Sequence, residues 1–223
     1  MAQNITKSIQ DYLKQIYKLN QAGGTASTTD LARQLKVAPA SVTGMLQRMA
    51  LAKPPLVIYK KHQGVTLTKA GERQALEIIR HHRLLETYLV SSLGYSWDEV
   101  HEEASRLEHD ISEDLENRIA KVLGNPTRDP HGDPIPTPEL TMPAENTRPL
   151  RSLQSGETAT VKRVSADDPA LLRYLGQIGL VPEARVRIKD YSAFDGNLTV
   201  QVEGQPSDIV LGMAVTSQVF VEE

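Results

Sequence analysis

The stretch HEEASRLEH, residues 101–109, concentrates two histidines and three glutamates in a chain that has six histidines and no cysteine. His82 and Glu86 are spaced i, i+4, so on a helix both side chains reach one point. Asp11 falls on or near the inward face of an amphipathic segment, and RDPHGD sets Asp129 and His131 on either side of Pro130. Laid on a helix, Val100, Ala104, Leu107, Ile111 and Leu115 form an apolar stripe. His101, Ser105, Glu108 and His109 share the adjacent sector, and Glu103 and Asp110 point to water. Carboxylates and imidazoles at the edge of a buried face are costly unless paired or metal-bound. The chemistry that these types can do together, without a thiolate, is to hold a hard divalent ion, Mn²⁺ first and Fe²⁺ second. A zinc protease is disfavoured: Ser105 stands where HExxH needs its second histidine, and no GxSxG, P-loop or dinucleotide fingerprint occurs. The reading is that the chain is not an enzyme.

The elements that must position these ligands follow from composition and period. The 223 residues suit two or three domains, and 39% hydrophobic content with net charge −3 describes an ordinary globular protein. No apolar run approaches a membrane span, and the N-terminus lacks a signal-peptide pattern, so a cytoplasmic location without membrane partners is expected. Charge is divided unevenly. Residues 1–70 carry ten Lys/Arg against two acids, and residues 81–125 carry ten acids against four Lys/Arg. A basic first third beside an acidic, histidine-rich middle suggests a nucleic-acid reader joined to a cation sensor.

Helical spacing over residues 5–20 predicts a first helix, ended by the glycines at 23–24. Ser27 or Thr28 caps a short helix from Thr29 to Leu35, and a third begins near Pro39 or Ala40. Leu56–Tyr59 and Val65–Thr68 then form a hairpin around Gly64. This is the order of a winged helix-turn-helix, whose second paired helix enters the major groove while the hairpin tip meets the backbone or minor groove. Candidate DNA contacts are Thr28, Ala38, Ala40, Ser41, Thr43, Gly44, Gln47 and Arg48, with Lys60, Lys61 and His62 at the wing tip. Gln47 and Arg48 are the long groups on the third helix, and its small residues suit thymine methyls and shape readout.

One long helix is expected over 69–93, with Leu76, Ile79, Leu84, Leu85, Tyr88, Leu89 and Leu93 exceeding a single packing face and suggesting a dimer seam. A second helix runs from Ser96 or Trp97 to about His109, and a third from Ser112 to Leu123, closed by Gly124. Seven prolines in residues 124–150 mark an irregular connection. GETATVKRV, ARVRIKDY, NLTVQVEG and VTSQVFVEE alternate like strands of a small barrel of about five strands, interrupted by a helix in DDPALLRYLGQIGLVPEA. The expected fold is mainly α with small β: a winged helix-turn-helix domain (1–70), a helical metal-binding and dimerisation domain (71–140), and a small β-barrel (148–223).

DYLKQIY, the helix-turn-helix with SVTGMLQRM, GVTLTKAG, HHRLLETYLVSSLG, VHEEASRLEHDIS and PHGDPIP together resemble the diphtheria-toxin-repressor family of metal-dependent transcriptional repressors. The resemblance spans nearly the whole chain. It is narrowest to manganese-responsive members that keep a C-terminal SH3-like domain. It implies a homodimer that binds a palindromic double-stranded operator with divalent metal as corepressor, and two metal sites per chain. One site would use Asp11, Glu108 and His109. Position 105 adds a ligand in many members, but here it is Ser105, where iron-type members have Cys and several manganese-type members have Glu. That coordination position is left open to water or a backbone carbonyl. The other site would use His82, Glu86 and His101, joined by Asp129, His131 and an acid of the last domain. Asp167 aligns best with that acid and Asp168 is the near alternative.

The expected mechanism has the ion pin the first helix against the middle domain, setting the spacing of the two recognition helices, so that metal and operator affinity are coupled reciprocally. The rival reading is a constitutive DNA-binding protein with purely structural metals. A third is a metal-buffering accessory dominated by the last domain.

Overall fold

The structure is a computed structural model that describes residues 5–21, 23–165 and 168–222. It divides into two compact units: Met1–His82 with Glu108–Ile111 and Pro136–Met142, and Arg83–Leu107 with Ser112–Ile135 and Pro143–Glu223. None of its helices is long and apolar enough to cross a membrane.

In the first unit, α1 (Lys7–Gln21) buries Tyr12, Leu13, Ile16 and Tyr17 at helical spacing. α2 (Thr28–Gln34) starts at Ser27, whose hydroxyl accepts from the Asp30 amide, and α3 (Pro39–Ala50) starts with proline in its first turn. β1 (Val57–Lys60) and β2 (Gly64–Leu67) pair antiparallel, Val57 opposite Leu67. The loop before α2 joins this hairpin through Ala26, which exchanges both backbone hydrogen bonds with Val65. α4 (Lys69–Leu93) begins in this unit and supplies Ala75, Leu76 and Ile79 to the same core as Leu13, Leu31, Val42 and Leu46.

The second unit holds the rest of α4, then α5 (Val100–Leu107) and α6 (Glu113–Val122), the latter capped by Ser112 and closed by Gly124 at φ +75°. Its β part is one antiparallel sheet. β3 (Arg148–Pro149), β4 (Thr158–Val164), β5 (Arg185–Tyr191), β6 (Leu198–Val202), β7 (Ile209–Leu211) and β8 (Val219–Glu222) lie in the order β3-β8-β4-β5-β6-β7. α7 (Pro169–Gln177) and α8 (Met213–Thr216) accompany the sheet, and alternate strand residues Val161, Val186, Ile188, Val200 and Val221 share one core with Leu172 and Leu175.

Several expectations need correction. α5 is shorter than the expected helix: Ser96–Glu99 form a turn before it, and it stops at Leu107. Glu108 and His109 therefore lie in the following turn, and the helical register linking His101 and Ser105 to them does not extend that far. The apolar stripe holds at Val100 and Ala104, which are buried, whereas Leu107 and Leu115 are exposed instead of in the core. Glu103, expected in water, is half-buried and pairs with Arg106. On α4, Leu76, Ile79, Leu84, Leu85 and Leu89 are buried within the chain, so they do not form a free seam, whereas Leu93 is exposed. Among the described residues the sheet has six strands, because the two-residue β3 and the three-residue β7 add to the expected set. The start of VTSQVFVEE belongs instead to α8, which begins after Gly212.

Candidate metal centres

The first unit brings Asp11, Glu108 and His109 together, with ligand atoms within 4.8 Å of one another. His109 Nε2 lies 3.0 Å from Asp11 Oδ1, and its Nδ1 lies 2.8 Å from Gln10 Oε1. Glu108 is buried, and both of its oxygens are engaged. The Lys14 ammonium donates to Oε1 at 3.0 Å and to Oε2 at 2.7 Å, and His82 Nδ1 makes a short contact with Oε2. Burial alone would raise the Glu108 carboxyl, but the hydrogen bonds and charges of His82 and Lys14 outweigh it and hold the group at about 2. Burial raises Asp11, opposed mainly by His109. Lys14 was not among the expected site residues. Its signal in the sequence is a cation inside the apolar face of α1, between Leu13 and Ile16–Tyr17.

In the second unit, Glu86, Asp129 and His131 are all buried and offer ligand atoms within 4.8 Å of one another. Glu86, on α4 one turn after His82, accepts at 2.9 Å from His101 Nδ1 on α5. His131 is completely buried. Its Nε2–H donates to the Trp97 carbonyl at 2.6 Å and its ring stacks on the Trp97 indole, centroids 5.9 Å apart. This fixes the ring and turns Nδ1 inward. Nδ1 makes no hydrogen bond among the described residues. Glu86 Oε2 stands 3.8 Å and Asp129 Oδ1 4.0 Å away, too far for hydrogen bonds. Ligand atoms around an octahedral ion at ~2.1 Å are about 3 Å apart when adjacent and about 4 Å when opposite. A buried imidazole nitrogen facing two carboxylates at such spacing, in ion-pair reach of both and hydrogen-bonded to neither, fits a hard divalent cation that takes the place of its proton. Burial together with the Asp133 and Glu86 charges pushes the Asp129 carboxyl up to about 7, against Arg83 and His131. Burial would lower His131, yet Glu86, Asp129 and the Trp97 carbonyl raise it to about 9.

The last domain positions this centre through its backbone. Val164 of β4 donates its amide to the His131 carbonyl at 2.9 Å. Gly132, at φ +88°, approaches so closely that a Cβ there would sit 1.9 Å from the Lys162 carbonyl oxygen. Arg83 and Arg163 reach Asp133 at 3.6 and 3.8 Å, and Arg163 also pairs with Glu145 and lies over Phe220. Trp97, Gly132 and Arg83 thus build the site without being of a metal-ligand type, which is why the sequence pattern does not mark them. Asp167 lies outside the described residues, whereas Asp168 spends its side chain capping α7 on the Ala170 amide. Ser105 sits half-buried on α5.

Of the candidate DNA contacts, Ala38, Ala40, Ser41, Gly44, Gln47 and Arg48 are exposed at or on α3, as are Lys60, Lys61 and His62 at the hairpin tip. Thr28 and Thr43 are half-buried, and the Thr43 hydroxyl donates back to the Pro39 carbonyl.

Comparison with known proteins places these observations in a family. Residues 4–65 match the iron dependent repressor N-terminal DNA binding domain. Residues 68–137 match the iron dependent repressor metal binding and dimerisation domain, and residues 148–223 match the FeoA domain. The iron-dependent repressor IdeR of Mycobacterium leprae (strain TN) is 32% identical, covering 99% of each chain. The HTH-type transcriptional regulator MntR of Lysinibacillus sphaericus (strain C3-41) is 35% identical over 53% of this chain and 83% of its own. A solved manganese-dependent transcriptional repressor in complex with manganese superposes with a TM-score of 0.88 at 40% identity, covering 96% of this chain and 98% of that one. The chain belongs to the diphtheria-toxin-repressor family of metal-dependent transcriptional repressors, with a helix-turn-helix DNA-binding domain, a helical dimerisation domain and a C-terminal SH3-like FeoA domain.

Proposed function

We propose that this chain is a manganese-responsive repressor, acting as a homodimer on a palindromic operator, with the Glu86–His101–Asp129–His131 cluster as its resident metal centre. The observation that carries the reading is His131 Nδ1, buried, oriented by Trp97 and facing Glu86 and Asp129 without a hydrogen bond. The donor set is oxygen and imidazole with no sulfur, which suits Mn²⁺ and then Fe²⁺. The solved neighbour in complex with manganese favours the same ion, whereas IdeR by name answers to iron. When bound, the ion supplies the positive charge that lets Glu86 and Asp129 stay ionised side by side in a buried site. Glu86 would hold it from α4, His101 from α5, and Asp129 and His131 from the loop braced by β4. The centre thereby orders the 128–134 loop against the helices that carry the exposed apolar residues Leu93, Leu107, Leu115 and Val122. Those exposed apolar residues would meet a second copy of the chain.

In the DNA-binding segment, Gln47 and Arg48 would reach base edges or phosphates, and Lys60, Lys61 and His62 would contact the backbone. Operator affinity rises with metal occupancy because the metal-bound arrangement is the DNA-competent one. The functional segments are those read from the sequence, 1–70, 71–140 and 148–223, acting in the cytoplasm and without catalysis. The test is to select a binding sequence from random duplexes in Mn²⁺ and then measure fluorescence anisotropy in Mn²⁺ and in EDTA. At least tenfold tighter binding in Mn²⁺ is expected. Equal affinity would overturn the corepressor reading in favour of constitutive DNA binding.

A further inference from the structure

We propose that the Lys14 ammonium is a built-in cation of the Asp11–Glu108–His109 cluster, standing where this cluster would otherwise take a metal ion. α1 is then tied to the 108–110 turn in the metal-free protein. The inference rests on the manganese reading only for its corollary, that the metal response belongs to the Glu86–His101–Asp129–His131 centre.

Three observations carry it. Lys14 is only 7% exposed, which is rare for lysine unless it is paired. Its Nζ bridges both Glu108 oxygens, at 3.0 and 2.7 Å, so the ammonium sits across the mouth of the carboxylate. The rest of the cluster is already coordinated around this arrangement: His82 takes Glu108 Oε2, and His109 spans Asp11 and Gln10. A divalent ion entering here must either share a buried space with a like charge or draw the ammonium away from Glu108. Separating a buried ion pair weakens the competing equilibrium by about a hundredfold or more. A lysine tether has a further consequence. The contact between α1 and the turn is present at all metal concentrations, so Asp11 and His109 orient the turn and do not sense the ion.

The experiment counts tightly bound Mn²⁺ per chain after equilibrium dialysis, by elemental analysis and by the electron paramagnetic resonance signal of free Mn²⁺. The wild type is expected to hold one tight ion, and Asp11→Asn is expected to leave that number unchanged. Lys14→Met removes the charge while keeping an apolar stem. It is expected to gain a second ion at least about a hundredfold tighter than any the wild type binds there, and that gain is lost in Lys14→Met/Asp11→Asn. Two tight ions in the wild type, falling to one in Asp11→Asn, overturns the proposal. Should Lys14→Met fail to fold, the Asp11→Asn comparison decides alone, because Asp11 is partly exposed. A wild type that binds no ion, with Lys14→Met gaining one that Asp11→Asn removes, sinks the manganese centre of the second unit and leaves the lysine proposal standing.

Discussion

Gly132→Ala tests how the SH3-like domain supports the metal centre. Gly132 has φ +88°, and a methyl group there would meet the Lys162 carbonyl oxygen at 1.9 Å and Arg163 Cα at 2.8 Å. Both obstacles are backbone of β4, so a side-chain rotation cannot relieve them. Ordinary van der Waals contact begins near 3.4 Å, so the loop must retreat from β4 by about 1.5 Å. The left-handed conformation costs alanine ~1–2 kcal/mol. The retreat also breaks the Val164 amide bond to the His131 carbonyl, 2.9 Å long in the wild type, for about 1 kcal/mol. The expected destabilisation is therefore about 2–3 kcal/mol. His131 is the adjacent residue, and loss of such support around a ligand weakens metal binding by roughly 10- to 100-fold. Trp97 is the only tryptophan and stacks on His131, so a Mn²⁺ titration is read directly from quenching of its fluorescence, and urea melts give stability. Gly124→Ala is the control: its φ is +75° but a Cβ there meets nothing within 4 Å. It should cost only the conformational ~1–2 kcal/mol and leave Mn²⁺ affinity intact. Were Gly132→Ala to match Gly124→Ala in both stability and Mn²⁺ affinity, the bracing role of β4 would be refuted.

Two other perturbations follow from the same geometry. Glu108 titrates at about 2 in the fold against 4.5 for the free group, so its contribution is complete above pH 4.5 and is lost as the pH falls from 4.5 toward 2. Metal-free wild type should lose about 3 kcal/mol more than Glu108→Gln across that interval, and parallel acid melts for the two would contradict this. Lys60→Ala/Lys61→Ala removes two exposed cations from the hairpin tip. It should weaken DNA binding by a similar factor across sequences and reduce the salt slope by about 1–2. A change of sequence preference without a change of slope would move these residues from phosphate to base contact.

Much of the fold is legible because its signals are local. The period of α1, the Ser27 and Ser112 caps, proline at the start of α3 and the alternation of β4 to β6 are each satisfied by near neighbours in the chain. The i, i+4 pair of His82 and Glu86 likewise marks one side of α4. The limits of α5 were not legible, because a helix ends where tertiary packing stops rewarding another turn. The helical sector joining Ser105 to Glu108 and His109 was lost with that end. Lys14 was not legible as a site residue because a cation is not a metal ligand, although its place in an apolar stripe was the clue.

The sequence by itself determined which residue types could bind an ion, that sulfur was not among them, and that a basic winged helix-turn-helix precedes them. Only the tertiary structure decided how those residues are used. Glu108 is shared between Lys14 and His82, while His131 is left with an inward, unbonded nitrogen because Trp97 holds the other one. Asp168 is spent on a helix cap. The reason is physical. Whether an imidazole or carboxylate is available to a metal depends on its burial and on which charges and hydrogen bonds already claim its atoms. In this chain those partners come from residues up to 99 positions away in sequence, as between Gln10 and His109.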